Sequence, residues 1–248
     1  MILPSVSSEL APTGKLRVGI NHGNPVLATR DPSSGELRGV AVDLARELGS
    51  RTGLAVELVA FESAGKMFDA VKTGSWDVAF LAVDPGRAAE IDFTAPYIEI
   101  EGTYLVPAGL LVRDVADVDR EGVRIGVSAK SAYDLFLSRN LQHAELVRGP
   151  TNEAGFDLIL AGKVDVAAGI RQHLVANSHR LPGSRVLDGR FMAIQQAVGI
   201  PKGRETGAKY LREFIEDVKA SGFVARAIEK AGIRGVSIAP RQVERQWK

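Results

Sequence analysis

Apolar positions in the first hundred residues switch between two periods. Leu16, Val18 and Ile20 alternate with their neighbours as in a strand, and Val40, Leu44 and Leu48 then recur at helical spacing over 39–52. A second strand is predicted over 56–61. Ser63 is placed to cap a helix carrying Met67, Phe68 and Val71, and Gly74 is placed to close it. The run 78–83 is continuously apolar, which suits a parallel strand covered on both faces. Strand, helix, strand, helix, strand makes a βαβαβ unit.

A polar stretch over 113–120 follows, and the pattern then restarts. The second unit is predicted as a strand over 123–127, a helix opened by Ser131, and a strand over 145–147. A helix capped by Thr151 or Asn152, with Phe156, Ile159 and Leu160 on one face, then leads into a strand over 164–168. Both units carry Gly-x-x-Asp-Val-Ala at a helix-to-strand junction, beginning at Gly74 and at Gly162, which points to two similar α/β lobes. Asp77 and Asp165 open strands, whereas open parallel sheets bind ligands at the carboxyl ends of their strands. They are therefore read as structural groups that hold turns or backbone amides. Amphipathic helices over 208–221 and 223–231 read as cover for a sheet.

The composition, 248 residues with 45% apolar and 25% charged, describes a folded globular chain of one large domain or two modest lobes. Thirty-one basic residues against thirty acidic leave a net charge of +1, so no overall field favours nucleic acid or an anionic membrane. The absence of cysteine removes disulfides, thiolate zinc sites and cysteine nucleophiles, and it fits either redox compartment. No stretch approaches the roughly 20 apolar residues that cross a bilayer. Residues 1–13 have neither the basic nor the apolar region of a secretory signal, so a processed exported chain and a cytoplasmic one both stay open. His22, His143, His173 and His179 form no metal-binding spacing, and no phosphate loop or Gly-x-Ser-x-Gly elbow occurs, so neither metal nor cofactor is expected.

The candidate chemistry gathers at the carboxyl ends of the first unit's strands. Arg87 lies just past the run 78–83, and Asp84-Pro85 is predicted to open a short helix there. Backbone donors at that helix start and the guanidinium fork can converge on a ligand carboxylate. The alternative is an arginine paired with Glu90 or Asp92, or solvated. Asn21-His22-Gly23-Asn24-Pro25 follows the first strand, with Asn21 and Asn24 as polar contacts; Glu62 closes the second strand on the same side, and Phe61 and Phe80 read as core.

Three stretches, taken in order, resemble the family 3 extracellular solute-binding proteins. They are Gly35-Glu36-Leu37-Arg38-Gly39-Val40-Ala41-Val42-Asp43-Leu44, then Asp84-Pro85-Gly86-Arg87 with Ile91-Asp92-Phe93-Thr94-Ala95-Pro96-Tyr97, then Gly122-Val123-Arg124-Ile125-Gly126-Val127. The resemblance covers about 15–232. It implies an α/β, two-lobed periplasmic binding protein type II fold, each lobe a mostly parallel sheet flanked by helices. Lobe one would be 15–106 plus 193–248 and lobe two 107–192, with hinge crossings near 104–108 and 192–198 and the ligand in the cleft between them. It further implies a periplasmic, monomeric, non-enzymatic protein that closes on a small carboxylate-bearing ligand and serves an ABC permease.

By the same resemblance, Arg87 matches the arginine that pairs with the α-carboxylate of amino-acid ligands. Ser131 falls where the family places a Ser or Thr near that carboxylate, or else it is a plain helix cap. Three positions depart from the family pattern. Ala82 stands where a polar residue is common, Ile170 stands where an aspartate often meets the ligand ammonium, and no aromatic residue lies in 21–25. Arg171 beside Ile170, if it faced the cleft, would suit a ligand with two anionic groups or an acid without an amine; otherwise it is a solvated residue at a helix start. Two other uses of the fold remain. One is an enzyme similar to cyclohexadienyl dehydratase, with His173 moving protons, and the other is a sensor-type binding module.

Overall fold

The structure, a computed structural model, describes residues 2–241, so the end of the expected first lobe, 242–248, lies outside the described residues. A short helix, α1 (Pro4–Leu10), precedes the first unit. That unit comprises β1 (Leu16–Asn21), α2 (Val40–Thr52), β2 (Val56–Phe61), α3 (Ala64–Asp69) and β3 (Val78–Ala82). Leu16, Val18 and Ile20 are fully buried, as are Val40, Leu44 and Leu48 on the face α2 turns to the sheet. Each such side chain removed from water contributes about 1.5–3 kcal/mol. Gly53 ends α2 in the left-handed region at φ 71°, where its N–H bonds Gly49 O. Ser63 Oγ caps α3 by accepting from Lys66 N at 3.3 Å.

A nine-residue strand, β4 (Ile98–Val106), leads out of the first unit. The second unit follows as β5 (Arg124–Ser128), α4 (Ala132–Asn140), β6 (Glu145–Gly149), α5 (Asn152–Leu160) and β7 (Val166–Ile170). Helix α6 (Arg171–Asn177) and a ten-residue strand, β8 (Met192–Pro201), bring the chain back, and α7 (Glu205–Ala220) and α8 (Phe223–Lys230) pack onto the first unit. The eight strands form one hydrogen-bonded path, β2-β1-β3-β8-β4-β7-β5-β6, within an 11-stranded sheet. Within each unit the first strand lies between the other two. β4 and β8 run antiparallel to each other, Met192 opposite Gly102 and Gln196 opposite Ile98, and carry the sheet from one half of the molecule to the other.

The repeated Gly-x-x-Asp-Val-Ala segments have the same surroundings in both halves. Arg17 donates through Nε and Nη2 to the two carboxylate oxygens of Asp77 at 2.9 and 2.8 Å. Arg124 does the same to Asp165, at 3.0 Å for both bonds. Asp77 N bonds Arg17 O at 2.8 Å and Asp165 N bonds Arg124 O at 2.9 Å, so each aspartate ties the start of one strand to its neighbour. The arginines belong to a second repeat, Leu16-Arg17-Val18-Gly19 and Val123-Arg124-Ile125-Gly126, so the ion pairs are part of what the two units share.

Two expected elements differ. Asp84-Pro85 opens no helix of useful length: a single 3₁₀ turn, Arg87–Ala89, follows, with Asp84 Oδ1 taking the Gly86 N–H at 2.8 Å and Asp84 O the Ala88 N–H at 2.9 Å. The anion-binding helix start foreseen there is absent, and Arg87 stands without it. The strand foreseen at 164–168 runs Val166–Ile170, since Asp165 is used on Arg124.

Candidate functional site

The carboxyl ends of β1, β3 and β7 and the turn after β5 face one another, and a cavity of about 30 Å³ lies among them. Its lining includes four of the predicted residues, Asn21, Asn24, Arg87 and Ser131. Arg87 is wholly buried. Its Nη1 donates to Ala82 O at 2.8 Å, and its Nη2 reaches across to Lys130 O in the second unit, also at 2.8 Å. Its Nε is buried and has no partner among the described residues. Burial pushes the guanidinium pKa down to about 10 against the pull of nearby Asp84, which leaves it protonated at neutral pH. Neither Glu90 nor Asp92 pairs with it: Glu90 reaches Lys72.

The turn between β5 and α4 presents that second-unit carbonyl. Lys130 has φ 57°, a left-handed conformation uncommon for a residue with a side chain, and its N–H is held by Asp134 Oδ2 at 2.7 Å. Ser131 Oγ accepts from Asp134 N at 3.1 Å, so it is a helix cap that also lines the cavity. Asn21 Oδ1 accepts from Gly23 N at 3.0 Å and Asn24 Oδ1 accepts from Val26 N at 3.1 Å. Both carbonyl oxygens are occupied by local turns.

Other expected contacts lie elsewhere. Arg171 is absent from the cavity lining: Nε donates to Glu101 Oε2 at 2.6 Å, Nη1 to Leu187 O at 3.0 Å, and Nη2 to Gly189 O. A guanidinium so fully engaged at the base of α6 braces β4 and the chain after α6. Glu62 pairs with Lys66 and borders a more open depression of about 490 Å³ at the cleft mouth. His173 borders the same depression; burial lowers its pKa, Nε2 has no partner among the described residues, and its ring meets Phe156 edge-on at 5.9 Å. Among the described residues no three His, Cys, Asp or Glu side chains gather as metal ligands.

Several lining residues were not singled out as contacts. Gln196 comes from β8, with Oε1 buried and unpartnered among the described residues. Asn152 Nδ2 donates across the cleft to Gly23 O at 2.7 Å, and Thr151 is the cap of α5. Leu27, Phe80, Ile170 and Ile194 supply apolar wall. Phe80 was read as core, and it is: fully buried and edge-on to Tyr97 at 5.9 Å, with one side toward the cavity. The sequence signal for Asn152 was its place at a helix start after a strand. Gln196 had none, since its strand belongs to neither repeat.

A cavity with a buried arginine at the meeting of two α/β units is a place where a small solute can be held. The chain belongs to the bacterial extracellular solute-binding proteins, family 3, whose sequence pattern matches residues 16–232. It is 23% identical over 202 residues to a probable histidine-binding protein of Neisseria gonorrhoeae, covering 77% of this chain and 73% of that protein. A solute receptor for L-cysteine from the same organism superposes with a TM-score of 0.78 at 23% identity, covering 92% of each chain. An ancestral amino-acid-binding protein described as a precursor of cyclohexadienyl dehydratase gives a TM-score of 0.75 at 22% identity, covering 90% of this chain and 97% of that one. The fold shared with these structures is the type II periplasmic binding fold. Among the described residues no helix is long and apolar enough to cross a membrane.

Proposed function

We propose that this chain captures a small carboxylate-bearing metabolite, an amino acid or related organic acid, and delivers it to an ABC permease. It works as a periplasmic monomer without turnover, closing lobe two (107–192) onto lobe one (15–106 plus 193–248). The observation that carries this reading is Arg87: a buried cation at the junction, bonded only to two carbonyl oxygens, with Nε–H still free among the described residues. A buried charge whose one nearby carboxylate, Asp84, is taken by Arg139 is costly, and a ligand carboxylate supplies the missing partner. Asn21, Asn24 and Ser131 are the accompanying polar contacts; Arg171, Glu62 and His173 are not. Binding favours the closed arrangement because the ligand touches both lobes, and the permease reads closure.

A thermal-shift screen followed by calorimetry tests this. A ligand at ~100 times its dissociation constant raises stability by about 2.7 kcal/mol, readily seen as a higher melting temperature. Arg87→Ala is expected to weaken the best hit on the order of 100-fold, the loss of charge-assisted bonds in a dry site. Wild-type affinity in a folded Arg87→Ala protein would refute the carboxylate-clamp role.

A further inference from the structure

We infer that the ligand held by Arg87 carries a carboxylate but no ammonium group: a 2-oxo acid with a short, largely apolar remainder. This rests on the carboxylate-capture reading above and narrows it.

Among the described residues no aspartate or glutamate lines the cavity, whose one charged side chain is Arg87; Glu62 and Glu153 border the adjoining depression. The carboxylates on the surrounding elements are committed to other partners. Asp84 takes Arg139 Nη2 at 2.7 Å, Asp134 takes Arg148 at 3.0 Å, Glu101 takes Arg171 at 2.6 Å, and Glu62 takes Lys66. An ammonium in this space would lie beside a buried guanidinium without a counter-charge, and like charges at close range in a dry site repel strongly.

The neutral groups lean the same way. Asn21 Oδ1 and Asn24 Oδ1 accept backbone N–H groups, Ser131 Oγ accepts from Asp134 N, and Asn152 Oδ1 accepts from Tyr133 Oη at 3.1 Å. Each of these oxygens keeps a second lone pair, and beside it the side chains bring a ligand donors: the Nδ2 amides of Asn21 and Asn24, the Ser131 O–H, and Arg87 Nε–H. Among the described residues the buried side-chain acceptor of the lining with no partner at all is Gln196 Oε1, a neutral amide oxygen. A set of donors around one cation matches a ligand made of acceptors. A carboxylate with a carbonyl beside it presents three acceptor oxygens and no N–H. Beyond them, Leu27, Phe80, Ile170 and Ile194 offer apolar wall to a hydrocarbon remainder.

Calorimetry on 2-oxo acids, each paired with the amino acid of the same skeleton, tests this directly: pyruvate with alanine, 2-oxoisovalerate with valine, 4-methyl-2-oxopentanoate with leucine, phenylpyruvate with phenylalanine. At least one oxo acid is expected to bind, about tenfold or more tighter than its amine-bearing partner. Gln196→Glu, which puts a carboxylate in the same volume, is expected to lower that preference by about tenfold or more. An amino acid that binds as well as or better than its oxo acid overturns the inference and leaves carboxylate capture standing, provided Arg87→Ala abolishes its binding. Binding of any pair member that survives Arg87→Ala in a folded protein overturns both. Failure of every compound to bind the folded wild type overturns the inference, and carboxylate capture is then decided by the wider thermal-shift screen. An unchanged preference in a folded Gln196→Glu protein overturns the acceptor argument on which the inference stands.

Discussion

Asp77 and Asp165 hold the same place in the two repeats but differ in burial, which separates their energetics. The Asp77 carboxylate is 0% exposed, with Arg17 on one side and Arg204 Nη1 at 3.2 Å on the other, whereas the Asp165 side chain is 34% exposed and meets Arg124 alone. Removing one member of a buried ionic cluster strands the others, at a cost of about 3–5 kcal/mol, while an exposed pair contributes about 1 kcal/mol or less. Asp77→Ala is therefore expected to lose several-fold more stability than Asp165→Ala in urea unfolding. Both proteins, compared below their melting temperatures, should bind ligand alike, because both carboxylates sit at strand starts, away from the cavity. Equal losses would mean that the second arginine and the burial count for nothing. Arg87 and Ser131 could be placed from the sequence for a related reason: each falls within five residues of a strand's carboxyl end, Ala82 and Ser128, and so on the cavity side of the sheet, while a part in ligand contact is what the family resemblance implies. Arg171 was not decidable, because its partner Glu101 is 70 residues away in the chain and nothing local announces the pair.

Helix α3 shows what one residue contributes at the scale of an element. Gly65 abuts the second unit so closely that a Cβ there would lie 2.7 Å from Ala129 O and 3.0 Å from the Lys130 side chain. Backbone cannot retreat as a long side chain can, so Gly65→Ala should hold the two halves slightly apart while leaving each intact. The expected outcome is weaker ligand binding by about tenfold, with unfolding little changed because alanine favours the helix. Calorimetry beside chemical denaturation checks it, and undiminished affinity would show that the halves close without this contact. The periods that revealed α2 and β1, and the apolar run that revealed β3, do not extend to β4 and β8. In β4 the alternation Ile98-Glu99-Ile100-Glu101 gives way to an unbroken buried run as the strand enters the junction. A strand covered on one face at one end and on both at the other has no single period, so the pointer to this region was the family resemblance, which implies crossings near 104–108 and 192–198.

At the scale of the whole molecule, the restart after 113–120 announced two units, yet nothing in either unit's pattern says how they face each other. That depends on contacts spanning them. Besides Arg87 to Lys130 O and Asn152 to Gly23 O, ion pairs among the described residues bridge the halves: Arg139 to Asp84 at 2.7 Å, Lys130 to Asp69 at 2.7 Å and, beside the crossing strands, Arg171 to Glu101 at 2.6 Å. Asp84 is nearly buried, its side chain 4% exposed, so closure desolvates it and Arg139 offsets the cost. Arg139→Gln removes that offset only when the halves meet, and the closed arrangement should lose about 1 kcal/mol, roughly a fivefold shift toward open forms. In the absence of ligand, small-angle scattering should then report a larger radius of gyration than for wild type, and ligand affinity should fall by about the same factor. Salt offers an independent route to the same state, since at 1 M the screening length is about 3 Å and the more exposed Lys130–Asp69 pair, with side chains 55% and 54% exposed, is the first to weaken. Wild type in high salt should therefore move toward the dimensions of Arg139→Gln in low salt. A variant whose size and affinity both match wild type would show that the cavity contacts around Arg87, and not the outer ion pairs, set the closed population.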